Sequence, residues 1–249
     1  METIIKQTRE VGTSAGVLLP RKWLNKRVVV NLLFPSGNEI TKNVLDILFK
    51  NNLNGEVKGI YLYGSYARED YELESDIDIL VITHKANKLI NCDNYEVLLV
   101  SENNFSKNLP NNLNYLSILK EIKVLINSEL IEKYLSNDYK LNIKKLLDEI
   151  FGIIKINKDT IKICKEEKKN IPDGIIYSIV LRLRELYLIK CFLSNKKYNK
   201  VYFLKLCGEK NYLAYTRVKR NKKEINNISP DEALNLIDLS ETWLKELKE

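Results

Sequence analysis

One stretch of the chain combines residue types and spacing that suit chemistry on a phosphate. Gly64 and Ser65 end a predicted strand and open a predicted helix, and Asp76 and Asp78 follow after ten intervening residues. Glycine lets the backbone approach a phosphate closely, and the N-terminus of a helix presents free N–H groups. Asp76 and Asp78 begin a further predicted strand, where a spacing of two residues points both carboxylates to one face.

Two carboxylates on one face favour magnesium, which takes oxygen ligands and completes its coordination with phosphate oxygens and water. A zinc site or a Ser-His-Asp triad is disfavoured, because the chain has one histidine, His84, and four scattered cysteines, Cys92, Cys164, Cys191 and Cys207. Asp76 and Asp78 are therefore the predicted metal ligands. With two Mg²⁺ ions bound, one would activate an attacking hydroxyl and the other would stabilise a leaving pyrophosphate.

Such a site needs a third carboxylate to bind metal or to take the proton from the attacking hydroxyl. Glu96 is the first choice, because it begins a predicted strand that would lie beside the strand of Asp78. Asp93 is the alternative, although the sequence from Asn91 to Asn94 is typical of a solvated turn.

The surrounding pattern predicts three strands and a set of helices. The strands are rich in Val, Ile, Leu and Tyr and span Gly59 to Tyr63, Ile77 to Ile82 and Tyr95 to Val100. Apolar spacing typical of helices covers Glu39 to Asn52, Leu141 to Lys169, Asp173 to Leu193 and Ser229 to Leu247. The last of these begins with a capping box made by Ser229 and Glu232.

These elements predict an α+β protein with three domains. Residues 1–36 form a small β unit, since Gly12 to Gly16 is a turn cluster flanked by β-rich pieces such as Val17 to Pro20 and Val28 to Val30. Residues 37–138 hold the predicted strands with the Gly-Ser and Asp-x-Asp residues, and residues 139–249 form a helical domain. The second boundary is set by the change from strand to helix periodicity near Lys140.

The central motif resembles that of the DNA polymerase beta-like nucleotidyltransferase superfamily. The resemblance covers roughly Gly59 to Val100 and is carried by Gly64-Ser65, ten residues, and then Asp76-Ile77-Asp78. The residues Ala67-Arg68 after Gly-Ser are similar to those of the minimal, antitoxin-type and antibiotic-modifying branches. Two positions depart from the family pattern: Glu69-Asp70 stand where many relatives have glycine, and Glu96 stands where many have aspartate.

The resemblance implies a mixed-sheet nucleotidyltransferase core that uses ATP or another nucleoside triphosphate with Mg²⁺. It implies that Asp76, Asp78 and Glu96 are the catalytic and metal-binding residues. Gly64, Ser65 and Arg68 would then hold the phosphates. The role of Arg68 is open, because its guanidinium would contact the triphosphate or pair with Glu69, Asp70 or Glu72. Helical C-terminal domains of this superfamily often shape the acceptor pocket, which makes Asp173 to Leu193 a candidate wall.

The N-terminal segment from Val11 to Leu24, followed by Lys26 to Val30, is similar to the swapped-hairpin DNA-binding regulators of the AbrB type. That resemblance implies dimerisation and a phosphate-contacting set made of Arg9, Arg21, Lys22, Lys26 and Arg27. The alternative is a β appendage whose charges are solvated. A further basic and aromatic segment, Tyr198 to Lys223, suits the binding of nucleic acid or the packing of a helical core, and we favour the packing.

The expected function is transfer of a nucleoside monophosphate, AMP from ATP, to a hydroxyl of a protein, a small molecule or RNA. The formal charge of +7 would attract polyanionic ligands. Apolar runs of strand length and an N-terminus unlike a secretion signal predict a cytoplasmic protein without membrane contact. The alternative function is a DNA-binding regulator, or an antitoxin-like partner, that uses the fold to sense nucleotide or to form a homodimer.

Overall fold

The computed structural model describes residues 4–30, 34–72 and 75–249. The chain divides into two compact units, Met1–Pro35 and Ser36–Glu249. The sheet and the long C-terminal helices both belong to the second unit. The predicted subdivision of that unit at residues 138 and 139 stays a prediction.

The N-terminal unit contains one antiparallel hairpin of two short strands. β1 (Arg9–Val11) pairs with β2 (Ser14–Gly16), and Gly12 supplies the positive φ of the turn at 59°. The β-rich pieces Val17 to Pro20 and Val28 to Val30 form no strand, although β-branched residues favour one. Val29 is 86% exposed and so gains no burial from pairing. Positions 1–3 and 31–33 of the predicted β unit lie outside the described residues.

The second unit is built on a mixed five-stranded sheet with the order β5-β6-β4-β3-β7. Its strands are β3 (Val57–Tyr63), β4 (Ile77–Thr83), β5 (Lys88–Cys92), β6 (Tyr95–Ser101) and β7 (Lys123–Ile126). The neighbours β4 and β6 run parallel, and the other pairs are antiparallel. The three predicted strands are thus confirmed with ends extended by one or two residues, and the edge strands β5 and β7 are additions.

Ten α-helices are described, and they begin and end as follows. They are α1 (Gly37–Lys50), α2 (Gly64–Arg68), α3 (Glu102–Asn108), α4 (Leu113–Glu121), α5 (Ser128–Leu135), α6 (Ile143–Glu166), α7 (Asp173–Leu193), α8 (Lys200–Cys207), α9 (Glu209–Lys219) and α10 (Pro230–Lys248). The predicted capping box at the start of α10 is present, with the Glu232 amide donating to Ser229 Oγ and the Ser229 amide donating to Glu232. The α+β prediction is confirmed.

Two groups of buried residues hold this unit together. In the sheet, Ile77 and four successive residues from Ile79 to Ile82 are fully buried, because both faces of the central strand β4 are covered. In the helical part, α7 lies at the centre, with Ile179 and Leu183 packed among α6, α9 and α10. No helix in the described ranges is long and apolar enough to cross a membrane.

Candidate active site

The Gly64-Ser65 turn lies against the aspartate of the neighbouring strand. β3 ends at Tyr63, α2 begins at Gly64, and Tyr63 pairs with Asp78 across the antiparallel ladder. Gly64 has a φ of 70°, and a Cβ at this position would overlap a carboxylate oxygen of Asp78 and lie 2.8 Å from its Cγ. Only glycine therefore fits here, both for backbone conformation and for space.

The strand that carries Glu96 lies where the sequence predicts. In the parallel ladder of β4 and β6, Asp78 and Glu96 are direct partners, so both side chains leave the sheet on the same face. Asp76 is exposed, one residue before β4 begins. Asp93 is exposed in the turn between β5 and β6 with a φ of 51°. Glu96 is thus better placed than Asp93 to act with Asp78.

The electrostatics of Asp78 reflect its crowded position. The pKa of the Asp78 carboxyl is raised to about 7, first by burial and then by Glu96, with a smaller contribution from Asp76. Lys219 of α9 and Arg68 act in the opposite direction. Burial and like charge both disfavour a carboxylate anion, and a cation in the same place would relieve both effects.

The donor set fits a cation that shares its coordination with a substrate. Within the ranges 4–30, 34–72 and 75–249, no three His, Cys, Asp or Glu side chains converge closely enough to enclose a metal. The carboxylates of Asp76, Asp78 and Glu96 would supply only some of the oxygen ligands of a cation. Substrate and water would supply the others. Mg²⁺ is commonly held by one or two carboxylates together with substrate phosphates and water, so the residues present suit it.

Glu121, at the C-terminal end of α4, is a member of the site that the sequence did not indicate. Its Oε1 accepts the backbone N–H of Gly64 at 3.0 Å, and its Oε2 accepts from Nη1 of Arg68 at 2.7 Å. One carboxylate therefore occupies two donors that were expected to hold phosphate. Glu121 lies 57 positions from Gly64, and its only sequence context is the end of an amphipathic helix, which carries no signal of this contact.

The guanidinium of Arg68 forms hydrogen bonds with two carboxylates, those of Glu121 and Asp70. Its Nε and Nη2 also donate to the two Asp70 oxygens at 3.1 and 3.2 Å, while Glu69 pairs instead with Lys123 at 2.6 Å. Of the two open interpretations, the pairing with Asp70 is therefore present in the described structure. Ser65, next to Gly64, is partly buried, and its carbonyl accepts the Asp70 amide at 3.1 Å.

The helical part reaches this region through aromatic and basic side chains. The centre of the Tyr198 ring lies 5.1 Å from Cζ of Arg68 and 5.5 Å from Cζ of Arg184. Nζ of Lys200 donates to the Asp70 carbonyl at 3.3 Å and to Glu72 Oε1 at 2.7 Å. These contacts place the loop after α7 and the first residue of α8 beside the residues that follow the Gly-Ser turn.

A mixed sheet that carries paired carboxylates beside a Gly-Ser turn is the arrangement of a phosphate-transferring enzyme of the nucleotidyltransferase class. The match of the family model described as nucleotidyltransferase domain, over residues 42–199, agrees with this geometry. The match covers more than half of the chain, and the chain belongs to this family. Nucleotidyl transfer is the reaction of the family.

Two similar proteins extend the comparison. A protein of Methanocaldococcus jannaschii named as a protein adenylyltransferase is 58% identical over 33 residues, which are 13% of this chain. The matched segment spans about a third of the length of that relative, 33%. A crystal structure of a nucleotidyltransferase-like protein from Exiguobacterium sibiricum is 14% identical, with a TM-score of 0.34, over 83% of this chain and 75% of that one.

Proposed function

We propose that this protein transfers AMP from ATP to a hydroxyl group in a Mg²⁺-dependent reaction that releases pyrophosphate. The observation that carries the proposal is the convergence of Gly64, Asp78 and Glu96 at one end of the parallel strand pair β4 and β6. A glycine that has no room for a Cβ and two register-paired acids serve no evident purpose in packing. They suit a phosphate and a cation bound next to one another.

The proposed roles follow from the positions of the side chains. Asp78 and Asp76 are the proposed metal ligands, and Glu96 is the third ligand or the base that accepts the proton of the attacking hydroxyl. Gly64, Ser65 and Arg68 hold phosphate oxygens, for which Glu121 must release the Gly64 amide and Nη1 of Arg68. Bound Mg²⁺ would supply charge neutralisation for the triphosphate and the departing pyrophosphate.

In the proposed reaction, the hydroxyl oxygen of the acceptor forms a bond to the α-phosphorus of ATP. The bond between that phosphorus and the oxygen bridging to the β-phosphate breaks, and pyrophosphate leaves with the electron pair. The hydroxyl proton passes to Glu96. AMP is thereby joined to the acceptor through a phosphodiester bond, and no oxidant or reductant is required.

A protein hydroxyl is our first proposal for the acceptor, followed by an aminoglycoside-like small molecule and by RNA. The short segment shared with a protein named as a protein adenylyltransferase supports the first choice. ATP and Mg²⁺ are abundant in the cytoplasm, which is the location we propose.

Calorimetric titration of Mg²⁺ and ATP into the wild-type protein and into an Asp76→Asn/Asp78→Asn variant tests the donor half of the reaction. We expect metal-dependent ATP binding that the double variant loses, followed by pyrophosphate release when an acceptor is present. Absence of ATP binding by the folded wild-type protein would overturn the proposal. An Asp46→Asn variant is a control, because Asp46 lies on α1 and no role in the site is proposed for it.

A second candidate function is DNA binding through the N-terminal unit, which is the alternative that the sequence of this unit suggests. The five basic residues of the expected phosphate-contacting set are all exposed, and they are Arg9, Arg21, Lys22, Lys26 and Arg27. Several large apolar side chains of the unit, including Ile5 and Leu24, are also exposed, at 66% and 70%. A homodimer that covers these side chains is part of this proposal.

DNA binding is tested by fluorescence anisotropy with duplex DNA over a range of salt concentrations. Neutralisation of phosphates by the basic set predicts an affinity that falls steeply with salt. The regulator would also keep its biological effect in the Asp76→Asn/Asp78→Asn variant, whereas the enzyme would lose it.

A further inference from the structure

Glu121 occupies two donors that the proposed reaction needs for a phosphate. Its carboxylate accepts the Gly64 amide at 3.0 Å through Oε1 and Nη1 of Arg68 at 2.7 Å through Oε2. Both side chains of this ion pair are largely buried, with 10% of Glu121 and 14% of Arg68 exposed. A carboxylate and a phosphate present similar anionic oxygens to N–H donors, so Glu121 and a phosphate would compete for this pair of donors.

The surroundings of Glu121 do not otherwise favour its charge. It is the last residue of α4, where the helix dipole presents negative partial charge and disfavours an anion. The pKa of the Tyr63 hydroxyl is raised by burial and then by three nearby carboxylates, those of Asp78, Glu96 and Glu121. Glu121 therefore shares its neighbourhood with other acids, and the two donors beside the Gly-Ser turn supply the contacts that hold it in place.

A small cavity lies beside Glu121, between α4, α7 and the loop that follows α7. Its volume is about 20 Å³, enough for one water molecule or one carboxylate oxygen. Glu121 is one of the lining residues, and the others include three lysines, Lys120, Lys196 and Lys197. Within the described ranges, none of these lysines forms an ion pair with a carboxylate. The cavity thus offers the Glu121 carboxylate a second position with cationic partners.

We propose that Glu121 is an autoinhibitory residue, which blocks the Gly64 amide and Arg68 in the nucleotide-free protein and turns toward the lysine-lined cavity when a nucleotide binds. This inference rests on the proposed function, because the block matters only if a phosphate uses the same donors. Each ATP molecule that binds must displace the carboxylate. The observed affinity is therefore lower than that of the unblocked site, in proportion to the fraction of molecules in which Glu121 is released.

Two substitutions of Glu121 in the full chain separate direct competition from simple charge repulsion. Glu121→Gln removes the charge, whereas Glu121→Asp keeps it but shortens the side chain by one methylene, so that the carboxylate no longer reaches both donors. We expect both variants to bind ATP with Mg²⁺ about tenfold more tightly than wild type in calorimetry, which corresponds to the loss of one charge-assisted hydrogen bond from the blocked state. Glu132→Gln changes an exposed glutamate of α5 and is the charge-matched control, whose ATP affinity should equal that of wild type.

The contact itself is measured without nucleotide. Selective ¹⁵N-labelling of the nine glycines isolates the amide signal of Gly64 in an NMR spectrum. We expect its proton resonance to move upfield in both Glu121 variants, because the hydrogen bond to a carboxylate is weakened or lost. An unchanged Gly64 resonance in both variants would show that Glu121 does not hold this amide and would overturn the inference.

A Lys196→Gln/Lys197→Gln variant tests the released position of the carboxylate. Loss of the two lysines should weaken ATP binding about threefold when Glu121 is present, and it should have no effect in the Glu121→Gln background. An equal loss in both backgrounds would show that the lysines act on ATP directly and would overturn the cavity as the released position.

The outcomes separate this inference from the function on which it rests. Tighter ATP binding by Glu121→Gln alone, with Glu121→Asp equal to wild type, would make Glu121 only a repelling charge and overturn the inference. Weaker binding by either folded variant would make Glu121 a support of the site and overturn the inference, whereas ATP binding by wild type would preserve the proposed function. No ATP binding by wild type or by either variant would overturn both. If Glu121→Gln does not fold, Glu121→Asp decides alone.

Discussion

At the scale of single residues, the contact between Gly64 and Asp78 links the backbone of one strand end to the chemistry of the next. Replacement of Gly64 by alanine would place a Cβ onto the Asp78 carboxylate at a φ of 70°. We expect Gly64→Ala to lower the free energy of unfolding by about 2 kcal/mol or more, because strain at positive φ and a steric clash add, and to abolish ATP binding. Urea unfolding and calorimetry measure the two effects.

A matched control is Gly152→Ala, which has the opposite expected sign for stability. Gly152 lies inside α6, and a Cβ there meets no other atom within 4 Å. Alanine is favoured over glycine inside a helix by about 1 kcal/mol, so this variant should be more stable than wild type and bind ATP normally. A Gly64→Ala variant as stable and as active as wild type would contradict the close approach that the structure shows.

We predict that ionised Asp78 lowers the free energy of unfolding of the protein when no metal is bound. Because burial and Glu96 raise its folded-state pKa to about 7 from the ordinary 3.8, the ionised carboxylate disfavours folding. The penalty is absent below pH about 4, grows between the two pKa values and is complete above pH about 7. Asp78→Asn should therefore raise the free energy of unfolding by on the order of 2 kcal/mol at pH 8 in EDTA, while it removes metal-dependent binding.

The measurement is denaturant unfolding of both proteins at pH 4 and pH 8. The two curves should converge at the lower pH, where the wild-type carboxyl is protonated. Asp46→Asn, a substitution on the outer helix α1, serves as the control and should show no such difference. A less stable Asp78→Asn at pH 8 would show that Asp78 is stabilised by partners rather than strained by them.

At the scale of elements, the sequence predicted those pieces whose signal is local. The buried strands β3, β4 and β6 are runs of β-branched and aliphatic residues, and long helices such as α7 show a continuous apolar repeat. The edge strands β5 and β7 were not predicted because they are short and partly exposed. In addition, β7 pairs with β3, which is distant in sequence. The role of Glu121 was not predicted either, because its contact with Gly64 joins residues that are distant in sequence and forms only when α4 has packed.

The capping box of α10 offers a prediction at this scale. Its Glu232 has a pKa lowered to about 2, first by the hydrogen bond from Lys210 and then by the Ser229 amide. Because the folded-state pKa is lowered, the stabilisation is present above pH about 4.5 and is lost as the pH falls toward 2. We expect Ser229→Ala to cost about 1 kcal/mol at pH 7, and Glu232→Gln to be destabilising at pH 7 and nearly neutral at pH 2.

Thermal unfolding of the wild type and the two variants at both pH values measures these differences. Lys210→Ala should raise the pKa of Glu232 and reduce the pH dependence, which separates the lysine pair from the hydrogen bonds of the box itself. If Glu232→Gln lowered the stability equally at both pH values, the charge of the carboxylate would not contribute to stabilising the N-terminus of α10.

At the scale of the whole molecule, the candidate site combines side chains that are far apart in the sequence, and no local sequence pattern reveals that they meet. The motif residues lie on or beside the sheet, whereas Arg184 lies on α7, Lys219 on α9 and Tyr198 in the loop between α7 and α8. The charge of +7 gave no indication of which basic side chains would approach Asp78. The mixed sheet was therefore predictable, and the sequence also singled out α7 and the segment from Tyr198 to Lys223, but it did not indicate that Lys219 would act on the pKa of Asp78.

The division of the chain into Met1–Pro35 and Ser36–Glu249 predicts that the second unit folds and binds nucleotide by itself. A chain that begins at Ser36 keeps the capping box of α1, in which Ser36 Oγ accepts the Glu39 amide at 3.3 Å. We expect this shortened protein to unfold within a few degrees of the full chain and to bind Mg²⁺ and ATP with an affinity within twofold. It should lose any salt-sensitive binding to DNA, because the five exposed basic residues of the hairpin unit are gone.

Calorimetry and DNA titrations on the same two preparations decide between the functions. Nucleotide binding retained and DNA binding lost would assign the two activities to separate units of one chain. If the shortened protein folds but binds no nucleotide, the assignment of nucleotide binding to the second unit alone is wrong. A Ser36→Ala substitution in the shortened chain controls for damage to α1, since loss of the cap should lower its stability by about 1 kcal/mol without changing ATP affinity.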